Sequence, residues 1–85
     1  MNLHAHVNQL KRIHFHVEHK SSGSPAVFAA RLGLSKRSLY RILEALRDQD
    51  VHILYSRSRG YYLYADGNTI ANLLKILGGG KVKIF

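Results

Sequence analysis

Lys36, Arg37, Tyr40 and Arg41 fall on one side of the stretch 35–50, SKRSLYRILEALRDQD. Leu39, Ile42, Leu43 and Leu46 fall on the other. Apolar residues three and four apart give a helix one buried stripe, so this stretch reads as a helix with a cationic outer face and an aromatic among the charges. Guanidinium and ammonium groups in that setting donate hydrogen bonds to phosphate oxygens and to the O6 and N7 acceptors of guanine. Three turns of such a helix fit the major groove of B-DNA. Ser35 and Ser38 add hydroxyls, and helix N-terminal N–H groups, that suit phosphate. A second basic point lies at Arg57-Ser58-Arg59-Gly60, which holds two arginines and no acid. That composition suits phosphate contact or entry into a minor groove, although a solvated basic turn would look the same.

No other constellation suggests chemistry. The chain has five acids and six histidines. His4, His6, His14, His16 and His19 include two H-x-H pairs, but residues two apart on a helix diverge. Only His16 and His19, with Glu18 from a neighbouring face, are spaced to chelate a metal, and solvated or half-buried helix histidines are the favoured reading of the run. Some of them would add positive charge below pH about 6.5. The serines sit where caps and turns need them. No nucleophile–base spacing and no glycine-rich phosphate loop occurs. We expect neither an enzyme, nor a bound cofactor, nor a metal site.

Bulk properties point the same way. The chain is 85 residues long, with a formal net charge of +8 and a pI near 10.2. The natural partner is a polyanion, with an anionic membrane surface as the other candidate. Residues 21–64 carry Arg31, Lys36, Arg37, Arg41, Arg47, Arg57 and Arg59 against Glu44, Asp48 and Asp50. Arginine suits planar hydrogen bonding to phosphates and bases better than lysine does. No apolar run approaches the roughly 20 residues needed to span a bilayer. With no signal-like start and no cysteine, we expect a soluble, cytoplasmic protein.

The elements that must position these residues can be read in order. Leu3, Val7, Leu10 and Val17 keep a helical spacing, which predicts a first helix over 3–19. KSSGS at 20–24 is a turn by composition. Ser24-Pro25 is a helix start, a capping hydroxyl followed by a proline whose missing N–H costs nothing there. The second helix runs to about Leu32 with Phe28, Ala29 and Leu32 inward, and Gly33 ends it. Leu34 plugs the turn and Ser35 caps the next helix. Two helices joined by a short glycine-containing turn make a helix-turn-helix.

The run PAVFAARLGLSKRSLYRILEAL resembles the helix-turn-helix of bacterial transcription regulators. Ala29 matches the position where the two helices approach, Gly33 the turn, and Leu39 and Ile42 the buried positions of the second helix. The glycine-to-serine step and the opening S-x-R-S/T-hydrophobic-Y-R are most similar to the winged-helix subgroup of DeoR and biotin-repressor type. The resemblance covers roughly residues 8–64. It implies a recognition helix over 35–48 and sequence-specific binding of double-stranded DNA.

A hairpin should follow. β-branched and aromatic residues in ILYS at 53–56 and YYLY at 61–64 flank the short basic loop. Its inward face is ambiguous, Tyr61 with Leu63 or Tyr62 with Tyr64. Directly after a recognition helix, such a hairpin is a wing. Asp66-Gly67-Asn68 breaks the pattern, and TIANLLKIL at 69–77 reads as a short helix with Ile70, Leu73, Leu74 and Leu77 inward. That stripe could be core or half of a homodimer interface. Gly78–Gly80 is a link or helix stop, and KVKIF at 81–85 is either an edge strand or a frayed tail.

The expected fold is therefore α+β and mainly α. It is a winged helix-turn-helix of three helices and a β-hairpin wing over 1–65, followed by a C-terminal helix and a terminal strand or tail over 66–85. The expected DNA contacts are Ser35, Lys36, Arg37, Ser38, Tyr40 and Arg41 from the helix and Arg57 and Arg59 from the wing. Two other readings stay open. Winged helices also bind proteins, and the Tyr61–Tyr64 strand with the last helix could present an apolar surface. RNA or non-specific chromosome binding would use the same cations with less discrimination.

Overall fold

A computed structural model describes residues 3–77. Gly78–Gly80 and KVKIF lie outside the described residues, as do the side chains of His4 and Leu77. In chain order come a 3-10 turn (Leu3–His6), α1 (Val7–Glu18), α2 (Pro25–Arg31), α3 (Lys36–Arg47), β1 (Ile53–Ser56), β2 (Tyr61–Tyr64) and α4 (Ile70–Leu77). Among the described residues the chain is thus α+β and mainly helical, with four α-helices and one two-stranded antiparallel hairpin.

The helix expected over 3–19 is split. His6 occupies the N-cap of α1 and makes no side-chain cap bond. Without a Ser, Thr, Asp or Asn to receive the first N–H groups, the entry tightens into a 3-10 turn. The start of α2 follows the sequence closely. Ser24 Oγ accepts from Val27 N at 3.3 Å, and Pro25 takes the first helical position.

The end of α2 is closed twice. Gly33, at φ +70°, lets its own N–H donate to Ala30 O at 3.1 Å and Leu34 N–H donate to Ala29 O at 2.8 Å. This is the paired closure that a left-handed residue after a helix permits. From α1, Gln9 Nε2 donates to Leu32 O at 3.1 Å and Arg12 Nη2 to Arg31 O at 2.7 Å. The two helices are thereby joined through carbonyls that α2 could not satisfy itself. α3 starts at Ser35, whose Oγ accepts from Ser38 N at 3.1 Å. After α3, Asp50 takes a left-handed φ of +63° and Val51 N–H returns to Leu46 O at 2.9 Å. Aspartate tolerates that conformation better than most residues.

One apolar cluster unites all the elements. Leu10, Ile13 and Val17 of α1 meet Phe28 and Ala29 of α2 and Leu39, Ile42 and Leu46 of α3. Val51, Ile53, Tyr62, Ile70, Leu73 and Leu74 complete it. Ala29, Leu39 and Ile42 are buried as expected, while Leu43 is half-buried at the margin. α4 packs on α1, so Ile70, Leu73 and Leu74 serve the core.

The hairpin pairs Ile53 with Tyr64, Leu54 with Leu63, Tyr55 with Tyr62 and Ser56 with Tyr61. The inward face is therefore Ile53, Tyr55, Tyr62 and Tyr64, and the Tyr62 ring stacks at a tilt 5.2 Å from Phe28. The 20–24 turn carries more than its composition suggests. Ser22 is fully buried, and its Oγ accepts the Tyr62 N–H at 2.7 Å while donating to Gly23 O at 3.2 Å. One hydroxyl thus ties the loop before α2 to β2.

Candidate nucleic-acid interface

Burial of Leu39, Ile42 and Leu46 fixes the rotation of α3 about its axis. The residues opposite that stripe must then face outward. Ser35, Lys36, Arg37 and Arg41 are exposed, Ser38 is half-buried, and Tyr40 is 44% exposed. Among the described residues the ion pair within salt-bridge distance is His14 with Glu18, on α1. No carboxylate there neutralises Lys36, Arg37, Arg41 or Arg47. Glu44 lies on the same helix, and Asp48 and Asp50 lie at and beyond its end.

The two serines are already engaged. Ser35 Oγ accepts the Ser38 N–H and donates to Ser38 Oγ at 3.1 Å. A phosphate at this helix start would therefore meet chiefly the first-turn N–H groups of Lys36 and Arg37, which a helix leaves without internal acceptors.

At the hairpin tip, Arg57, Ser58, Arg59 and Gly60 are exposed. The turn is held from inside. Gly60 N donates to Ser56 O at 2.7 Å, Arg59 N donates to Ser56 Oγ at 3.3 Å, and the Ser56 and Ser58 hydroxyls lie 3.2 Å apart. Arg57 and Arg59 thus project from a short constrained loop, with no carboxylate partner among the described residues.

A cleft of about 250 Å³ lies between α3 and β1, lined by Tyr40, Leu43, Glu44 and Arg47 of α3 and by His52, Ile53 and Leu54 at β1. The strand on one wall leads directly into Arg57. Tyr40 stands at the lip, shared between the outer face and the cleft. Arg47 and His52 were not among the expected contacts. For Arg47 a signal was present, since it follows Tyr40 by seven residues, two helical turns on the same flank.

Burial, with Tyr40 and Tyr55 nearby, pushes the Tyr62 hydroxyl up to about 12, so it stays neutral. His16 and His19, at the end of α1, are engaged in local bonds. His16 Nδ1 is 2.8 Å from Ser21 Oγ, and His19 Nδ1 donates to Phe15 O at 2.8 Å. Among the described residues no three His, Cys, Asp or Glu side chains are placed to hold a metal ion. Nor is any described helix long and apolar enough to cross a membrane.

Compared with protein-family models, with curated proteins and with solved structures, the chain shows no match.

Proposed function

We propose that this chain is a winged-helix DNA-binding protein acting as a transcriptional regulator. In this reading α3 is the recognition helix in the major groove of double-stranded DNA, and the β1–β2 hairpin is the wing. The supporting observation is the set of exposed cations on α3 and at the hairpin tip that no described carboxylate neutralises. The resemblance of residues 25–46 to bacterial regulators adds to it. Arg37 and Arg41 make the base-edge contacts, with Lys36 and Tyr40 flanking them. Ser35 and Ser38 organise the helix start around a phosphate, and Arg57 and Arg59 hold the backbone or enter the minor groove. The described residues contain no separate ligand-binding domain, and the protein works in the cytoplasm, where its DNA is.

Selection of bound duplexes from a random pool tests this reading. Enrichment of one sequence motif is the expected result, and a pool that stays random after repeated rounds contradicts it. A protein-interaction module is the second reading, favoured by the exposed Leu54 and Tyr40 beside the cleft. DNA binding that is absent or insensitive to salt, together with a tight protein partner, would select it.

A further inference from the structure

β1 has one edge paired to β2 and one edge open. Ala65 N donates to His52 O at 2.8 Å, which makes His52 and Ala65 a hydrogen-bonded pair one step beyond the Ile53–Tyr64 pair. Hydrogen bonding alternates along an antiparallel ladder. Leu54 and Ser56 therefore turn their backbone groups toward β2, and Ile53 and Tyr55 turn theirs outward. None of the described residues bonds the backbone of Ile53 or Tyr55 on that outer side.

Natural sheets defend such an edge with charge, proline, bulges or a covering element. β1 reads Ile-Leu-Tyr-Ser and has neither charge nor proline, and its register runs through four pairs without a bulge. In a chain of net charge +8, this uncharged strand is conspicuous. The cleft beside it leaves the edge accessible instead of covered, and Leu54 is 57% exposed.

We propose that the open edge of β1 pairs with the same edge of a second copy of this chain, antiparallel, about a two-fold axis at Leu54. This inference does not rest on the DNA-binding reading. The register follows from the outward groups. Ile53 of each copy stands opposite Tyr55 of the other, and each such pair exchanges both of its N–H···O bonds. Leu54 then meets Leu54 in the close, non-hydrogen-bonded position, with Cα atoms about 4.5 Å apart. The two hairpins become one four-stranded sheet, and an isologous contact of this kind closes on itself.

Charge is compatible with this register. His52 falls opposite Ser56 and Arg57 opposite Val51, so no like charges stand directly across the pair. The cleft wall carries both Glu44 and Arg47, and Glu44 has no ion-pair partner among the described residues. The incoming strand brings Arg57 toward that wall. Four residues and one cleft wall per copy cover less than the roughly 1,600 Å² of a standard interface. The dimer is therefore weak and concentration-dependent.

The test uses the full chain without DNA. Sedimentation velocity over a wide concentration range is expected to show a monomer–dimer equilibrium that Leu54→Lys shifts at least tenfold toward monomer. Hydrogen exchange gives a second, backbone-level readout. The Ile53 and Tyr55 amides should gain protection as concentration rises, while Leu54, already bonded to β2, should not. Circular dichroism shows whether Leu54→Lys folds, and if it does not, the amide measurement on the wild-type chain decides alone. A wild-type chain that stays monomeric throughout overturns the proposal. So does a dimer that a folded Leu54→Lys leaves intact, or one that forms without new protection at Ile53 and Tyr55.

Discussion

The Tyr64 hydroxyl lies 2.6 Å from Nδ1 of His14 and also accepts the Ile70 N–H at 3.2 Å. One oxygen therefore joins α1, β2 and the start of α4. With Ile70 donating to it, the hydroxyl has its own proton to give to His14. That fits a neutral imidazole whose Nε2 lies 3.7 Å from Glu18 Oε1. Burial is the main reason His14 sits below its ordinary 6.5; Glu18 opposes the shift and His19 adds to it. Burial of Tyr64 likewise pushes its hydroxyl far up, keeping it a donor.

The pH dependence follows with a definite sign. His14 and His16 are both lowered in the fold, His16 through burial and then Arg31, Arg12 and His19. Between the folded value and about 6.5, the unfolded chain binds more protons, so stability rises with pH there. The contribution is complete above about 6.5 and is lost as pH falls below it toward the folded value. Thermal melts are expected to drop between pH about 7 and 5. His14→Gln should be less stable at pH 7 but show a flatter profile, and an unchanged profile would remove His14 from the account.

Tyr64→Phe keeps the ring and removes the shared oxygen. The Ile70 N–H and the His14 imidazole lose a partner together, an expected cost of about 1–3 kcal/mol in denaturant unfolding. Ser22→Ala should cost a similar amount, about 1–3 kcal/mol, because the buried Tyr62 N–H then has no acceptor. A loss near zero at Ser22 would mean that the loop is not tied to β2 as described.

Stability and DNA affinity should separate cleanly on α3. Ser35→Ala removes the cap and is expected to cost about 1 kcal/mol of stability. Arg37→Ala or Arg41→Ala, at exposed positions without a carboxylate partner, should leave stability within about 0.5 kcal/mol. The same arginine changes should weaken a specific site by about 1–3 kcal/mol, measured by competition against random duplex.

Much of this architecture was legible because short-range chemistry decides it. Ser24-Pro25, Gly33 and Ser35 mark the ends of α2 and α3 through capping and backbone freedom, which single residues carry. The stripe Leu39, Ile42, Leu46 fixes which cations of α3 face out. What stayed hidden depends on contacts between distant residues. Ser22 looks like any turn serine until β2 arrives forty residues later. Gln9 and Arg12 look like solvated helix residues until the end of α2 is placed beside them. The hairpin's inward face was ambiguous because aromatic or aliphatic residues occupy both of its faces, and only the pairing of Tyr55 with Tyr62 over Phe28 resolves it. On α3, exposure of the expected cations follows from the helix stripe. That Arg47 and His52 line one cleft depends on how α3 sits against β1.

The hairpin tip should behave differently from α3. Arg57→Ala combined with Arg59→Ala is expected to weaken all duplexes alike and to lower the salt slope by up to about 2, without changing which sequence is preferred. A change in preferred sequence would instead assign the tip to base readout.

The most direct test is fluorescence anisotropy of a labelled duplex titrated over a range of salt, comparing the native chain with the variant lacking Arg37, Arg41, Arg57 and Arg59. The native chain is expected to lose affinity linearly in log salt. The variant should bind at least tenfold more weakly, with a slope shallower by about 2. Equal affinity and equal slope for the two would contradict the assignment of DNA contact to α3 and the hairpin tip.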